Sequence, residues 1–114
     1  MQLVSQAKGP LERGKPDTAI PMLEKAIQID SQNPEAFLLL ARAWKQKQAR
    51  QKSLEFARKA ELLYHGKPSK LKEVYQLESD LYREMGDSAK AAKYKKKASS
   101  VGEKPAKAKA GPAQ

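Results

Sequence analysis

The chain has 114 residues, no cysteine and one histidine, His65. Disulfides, thiolate metal sites and cysteine nucleophiles are thereby excluded. His65 stands beside Gly66, where the end of a helix is expected, with no second ligand type near it to complete a metal site, so it reads as a cap or surface residue. Aromatic residues make up 6% of the chain, and the β-branched alternation of strands is missing, which leaves an all-α class. No apolar run approaches the ~20 residues that span a bilayer; the longest, Phe37-Leu38-Leu39-Leu40-Ala41, has the length of a helix face. No phosphate-cradling pattern of the Gly-x-Gly-x-x-Gly or Gly-x4-Gly-Lys-Ser/Thr kind occurs. The carboxylates Glu73, Glu78, Asp80 and Glu84 fall on one helix among lysines and arginines, the pattern of a solvated helix surface. A catalytic site needs a nucleophile with its base, a metal cluster or a phosphate cradle, and none is assembled here: no enzyme and no cofactor are expected. No signal peptide is visible at Met1-Gln2-Leu3-Val4, and the abrupt start suggests the mature part of a longer protein.

What the chain has in excess is positive charge, a formal +10. It is unevenly placed. Arg42 to Lys59 holds seven cations against Glu55 alone, and the stretch from Gly86 onward holds eight lysines against Asp87 and Glu103. Such clusters favour acidic partners or anionic surfaces on encounter. They are rich in lysine and lack interleaved aromatics or a reader motif, so for nucleic acid they license only salt-dependent, non-specific binding. Nucleic acid is the alternative partner, not the expected one.

The chain also repeats itself. Thr18-Ala19-Ile20-Pro21-Met22-Leu23-Glu24-Lys25-Ala26 is echoed by Lys52-Ser53-Leu54-Glu55-Phe56-Ala57-Arg58-Lys59-Ala60 and again by Lys90-Ala91-Ala92-Lys93-Tyr94-Lys95-Lys96-Lys97-Ala98. The closing alanines are 34 and 38 residues apart, against a ~34-residue period for helix-pair repeats of the tetratricopeptide type. His65-Gly66-Lys67-Pro68-Ser69 offers room for the longer second turn. Helices are predicted at about 2–13, 16–29, 34–47, 50–64, 70–85 and 87–100, with Asn33-Pro34-Glu35 as a start signal. Gly14 and Gly86 lie at hairpin turns, and Gln46-Lys47-Gln48-Ala49 fills that place in the middle unit. Pro10 should kink or shorten the first helix. The tail after Val101 should be disordered.

Over residues 1–101 the chain resembles the tetratricopeptide repeat family. The family's W-x2-L-G-x2-Y places hold Phe37, Leu40, Ala41 and Trp44 in the middle unit, and Tyr75, Glu78, Ser79 and Tyr82 in the third. The first unit matches poorly, with Leu3, Gln6, Ala7 and Pro10. The positions where paired helices cross are small in every unit: Ala7, Ala19 and Ala26; Ala41, Ser53 and Ala60; Ser79, Ala91 and Ala98. Close crossing requires small residues at the contact. The resemblance implies a right-handed α–α superhelix of three antiparallel hairpins, with repeats at about 1–33, 34–67 and 72–101 followed by the 102–114 tail. The arrangement is also similar to small bacterial repeat proteins attached to the envelope; the compartment, cytoplasmic or periplasmic, stays open.

Such solenoids bind partners on their concave side. The resemblance puts Glu35, Leu38, Leu39, Arg42, Lys45 and Gln46 there in the middle unit, and Glu73, Gln76, Leu77, Asp80, Arg83 and Glu84 in the third. At the places where one subclass clamps a peptide carboxylate stand Val4, Lys8, Leu39, Glu73 and Leu77, so that recognition mode is not expected. The implied function is a scaffold for another protein. Arg42, Lys45 and Arg83 would steer an acidic amphipathic helix or extended peptide onto an apolar floor of Leu38, Leu39 and Leu77, unless Glu73 and Asp80 neutralise them.

Overall fold

The computed structural model describes residues 2–101; the tail expected to be disordered lies outside them. Six helices follow in order: α1 (Gln2–Glu12), α2 (Pro16–Ile29), α3 (Pro34–Gln46), α4 (Arg50–Leu63), α5 (Pro68–Glu84) and α6 (Ser88–Ser100). They form three antiparallel hairpins wound into an α–α superhelix, with no strand among the described residues. Proline stands first in α2, α3 and α5, where its missing N–H costs nothing and its φ suits the helix. This is why α5 begins at Pro68, two residues ahead of the predicted start. Asn33 Oδ1 accepts from Ala36 N at 3.2 Å and Asp87 Oδ1 from Lys90 N at 3.0 Å, which caps α3 and α6. Pro10 does not end α1, which runs on through Glu12. It lies in the final turn, where one backbone bond is lost, and its ring is buried.

The hairpins turn through one repeated device. Gly14, Gln48 and Gly86 all have positive φ, at 71°, 66° and 85°, and they stand at the same 34- and 38-residue spacing as the alanines. In the middle unit a glutamine occupies a conformation that glycine adopts without strain.

All nine crossing residues are buried, none more than 7% exposed. Two of them lock their hairpins by mirror-image bonds. In the middle hairpin Ser53 Oγ of α4 donates to Ala41 O of α3 at 2.6 Å; in the third, Ser79 Oγ of α5 donates to Ala91 O of α6 at 2.7 Å. The same crossing point is bonded from opposite helices. A buried hydroxyl must find such an acceptor, and here the facing helix supplies it.

Two core clusters meet in α3. Val4, Leu11, Leu23, Leu39 and Leu40 belong to the first, and Phe37, Leu38, Leu54, Leu77 and Leu81 to the second. Each leucine removed from water contributes about 1.5–3 kcal/mol, so α3 is the element on which both outer hairpins depend.

Candidate concave groove

Two cavities lie side by side along α1, α3 and α5. The larger, ≈ 650 Å³, is lined by Arg42, Lys45, Gln46, Gln48, Ser69, Lys72, Glu73, Gln76, Leu77 and Asp80. The smaller, ≈ 360 Å³, is lined by Lys8, Leu11, Glu12, Glu35, Leu38, Leu39, Arg42, Gln46, Lys70 and Glu73. Arg42, Gln46 and Glu73 belong to both, so the cavities form one continuous groove. Ten of the twelve residues expected on this side line it. Arg83 and Glu84 do not: the Arg83 guanidinium turns back to Asp80 on its own helix at 2.6 Å, and the Glu84 carboxylate is held by Lys45 and Arg50. Lys8, Lys70 and Lys72 line it as well; Lys8 was considered only as a clamp position, and the two lysines stand near the start of α5, before the first of its expected concave residues, Glu73.

The leucines differ from expectation. Leu38, Leu39 and Leu77 reach the groove but are no more than 9% exposed, because their side chains serve the two cores beneath. The floor is apolar in identity and offers little surface to cover.

The cations are largely paired within the chain. Arg42 meets Glu73 at 3.3 Å across α3 and α5. Lys45 and Arg50 converge on Glu84 at 3.1 and 2.8 Å, and Lys8 meets Glu35 at 2.8 Å. Partial burial acts to raise the Glu84 pKa, but the bonds from Arg50 and Lys45 outweigh it and hold the carboxyl below its ordinary value. The bond to Glu35, with its charge, raises Lys8. Gln46 Nε2 donates to Leu11 O at 2.9 Å, which ties the end of α3 to α1. Of the cations lining the groove, Lys72 has no carboxylate partner among the described residues. The groove is therefore close to neutral, a mosaic of paired charges and amides, in contrast to the basic character of the whole chain.

Outside the groove, lysines of the second helix of the middle and third hairpins lie over aromatic rings of the first. Lys52 Nζ is 4.7 Å from the Trp44 centroid and Lys59 Nζ 5.8 Å from Phe37; Lys90 and Lys97 repeat both contacts at 5.5 Å on Tyr82 and Tyr75. The ring pairs Phe37–Phe56 and Tyr75–Tyr94 repeat too, each at 6.2 Å. These rings are packing elements with cationic lids. The lysines of both basic clusters are thus partly engaged in the fold, which the charge count alone did not reveal.

Tyr64 was missed by sequence reasoning. It is buried at the end of α4; burial, and then the charges of Glu35 and Glu73, push its hydroxyl up to about 12. Glu78 overturns an expectation outright. It was read with its neighbours as part of a solvated surface, yet it is 1% exposed and neither carboxylate oxygen meets a donor. Its position is the repeat's leucine place, held by Leu40 in the middle unit, and that place faces the core whatever residue fills it.

Residues 11–66 match the model of the tetratricopeptide repeat family. Among solved structures, the globular C-terminal domain of LpoP from P. aeruginosa superposes with a TM-score of 0.80 at 23% identity, covering 86% of this chain and 92% of that one. The tetratricopeptide domain of FLU from Arabidopsis gives the same TM-score of 0.80 at 18% identity, covering 87% and 90%. At these identities the likeness is one of fold. No curated protein matches the chain. Among the described residues no helix is long and apolar enough to cross a membrane. With the family match, the repeated turn and crossing geometry, and the shared fold taken together, this chain belongs to the tetratricopeptide repeat family.

Proposed function

We propose that the chain is an interaction scaffold that holds a peptide or helix of a partner protein in the groove along α1, α3 and α5. Folds of this family are generally protein-binding scaffolds and typically non-catalytic. The observation that carries the reading is the continuity of the two cavities across all three hairpins, which gives a partner segment one uninterrupted seat. The proposed contact residues are Glu35, Leu38, Leu39, Arg42, Lys45, Gln46, Glu73, Gln76, Leu77 and Asp80. Arg83, turned away toward Asp80, is a rim contact at most.

The pairing of charges refines the partner's chemistry. The net +10 of the chain steers an acidic protein on approach. Inside the groove, a carboxylate must displace Glu73 or Glu84 from its cation or settle on Lys72. The amides of Gln46, Gln48 and Gln76 are suited to a peptide backbone or polar side chains, so the seated segment is polar with scattered acids.

A photo-reactive amino acid placed at Gln76 or Lys72 in host cells tests this. A discrete adduct with one protein is expected from both positions, and none from Lys25 or Ala92 on the outer helices. A Gln76→Arg substitution that fills the groove should remove the adduct made from Lys72 while circular dichroism stays unchanged. Adducts arising at Lys25 or Ala92 but not in the groove would contradict the proposal.

A further inference from the structure

The 34- and 38-residue spacings allow the two junctions between hairpins to be compared place by place. Where α3 meets α2, Leu40 is fully buried and Ile27 packs against its cluster. At the matching places of the second junction stand Glu78 of α5 and Glu61 of α4. Two carboxyls replace two aliphatic side chains. Glu78 has no hydrogen-bond donor at either oxygen, and the carboxyl that faces it, that of Glu61, is another acceptor. Arg58 spends its guanidinium on the Tyr82 hydroxyl at 2.6 Å, and Lys97 lies over the Tyr75 and Tyr94 rings at 5.5 and 4.9 Å. The larger cavity of the groove spans this same junction, with Arg42, Lys45 and Gln46 on one side and Lys72, Gln76 and Asp80 on the other.

We infer that the α4–α5 junction is a proton-controlled hinge: with a proton on Glu78 the third hairpin closes onto the middle one, and without it the hairpin swings away and widens the groove. The chemistry is that of a buried acid. A neutral carboxyl can donate to Glu61 and tolerates the aromatic surroundings; an ionised one has no donor and faces a second carboxylate. Burial first, and then Glu61, raise the Glu78 pKa well above the glutamate range, against weaker opposing effects of Arg58 and Lys97. Closure therefore takes up a proton. Its contribution is fully present below the ordinary glutamate value and is lost as pH rises toward the elevated one, by up to about tenfold in the closing equilibrium per pH unit. Around Glu78, the groups that carry or gain charge are Arg58 and Glu61 on α4, Tyr75 and Tyr82 on α5, and Tyr94 and Lys97 on α6. Tyr75 and Tyr94 are themselves raised by burial, so they stay neutral across this window. On the concave side Glu84 works in the opposite sense: its depressed pKa keeps the pairs to Arg50 and Lys45 intact until pH falls below the glutamate range. Between those limits the hinge answers to Glu78.

The absence of cysteine makes the test clean. Spin labels at Glu55→Cys and Ala92→Cys span the second junction, and labels at Lys25→Cys and Glu55→Cys span the first. A His65→Gln background removes the one imidazole. No partner is needed, so the outcome is independent of the binding role proposed for the groove. Across the second junction a longer-distance population should grow as pH rises from 5 to 8, and across the first the distance should not change. Glu78→Gln should abolish the pH response, and Glu78→Leu should leave one short distance at both pH values. The inference is overturned by a second-junction distance that ignores pH in the native sequence, by a response that survives Glu78→Gln, or by an equal response across the first junction. The native sequence alone decides the matter if a variant folds poorly, which circular dichroism monitors.

Discussion

The two outer hairpins hang on the same middle one by unlike attachments. On the concave side the attachments are comparable. Lys8–Glu35 and the Gln46–Leu11 bond serve the first junction, joined by Lys47–Asp17 between the end of α3 and the start of α2, and Arg42–Glu73 with the Glu84 clamp serves the second. Half-exposed ion pairs contribute about 0–1 kcal/mol each, so they do not separate the two. The difference lies on the outer side, where Leu40 and Ile27 face Glu78 and Glu61 at matching places. A buried carboxyl without a donor costs about 1–3 kcal/mol. One pair of residues therefore decides which end of the scaffold is firmly held, and repeats that look alike in outline differ in strength.

Exchanging the two chemistries gives the largest expected effect. Leu40→Glu would put an unpartnered carboxyl into the apolar junction and remove a fully buried leucine, at a cost of about 4–5 kcal/mol. Glu78→Leu should do the reverse and stabilise by about 1–3 kcal/mol at neutral pH, with the gain shrinking as pH is lowered toward 5. Urea melts of both variants at pH 5 and 7.5 check the sizes and the sign. A destabilising Glu78→Leu would mean that the second junction is not the weaker one.

The hairpins themselves should be equals. Ser53→Ala and Ser79→Ala each remove one buried hydroxyl bond at the same crossing point, so each should cost about 1 kcal/mol. Losses that differ severalfold would show that the asymmetry begins inside the hairpins. The smallest effect belongs to the turn. Gln48→Gly relieves a positive φ at the place where the other two hairpins already have glycine, and should raise stability by up to about 1 kcal/mol, measured as a small rise in Tm.

Much of this was legible in the residues. The spacing of Ala26, Ala60 and Ala98 set the hairpin register, and the helix ends fell within two residues of the prediction, because prolines, Asn33 and the glycine turns act locally. The concave positions followed from the same register. What stayed hidden was pairwise. Whether Arg42 is free or bound to Glu73, 31 residues away, depends on how two hairpins twist against one another. Glu78 was misjudged because a charged residue on a helix with lysines and arginines suggests a wet surface, although its repeat place was already identified as the leucine position. Register outranks residue type where the two disagree, and at Glu78 that conflict coincides with the hinge. The shallow leucine floor was hidden for a similar reason: periodicity assigns a face but not the depth at which a side chain lies on it.

Native-state hydrogen exchange in low denaturant, read helix by helix near neutral pH, tests the asymmetry most directly. Amides of α5 and α6 should share an opening that requires less free energy than that of α1 and α2, and Glu78→Leu should close the gap. One common opening energy for all six helices, or an α1–α2 hairpin that opens first, would contradict the account.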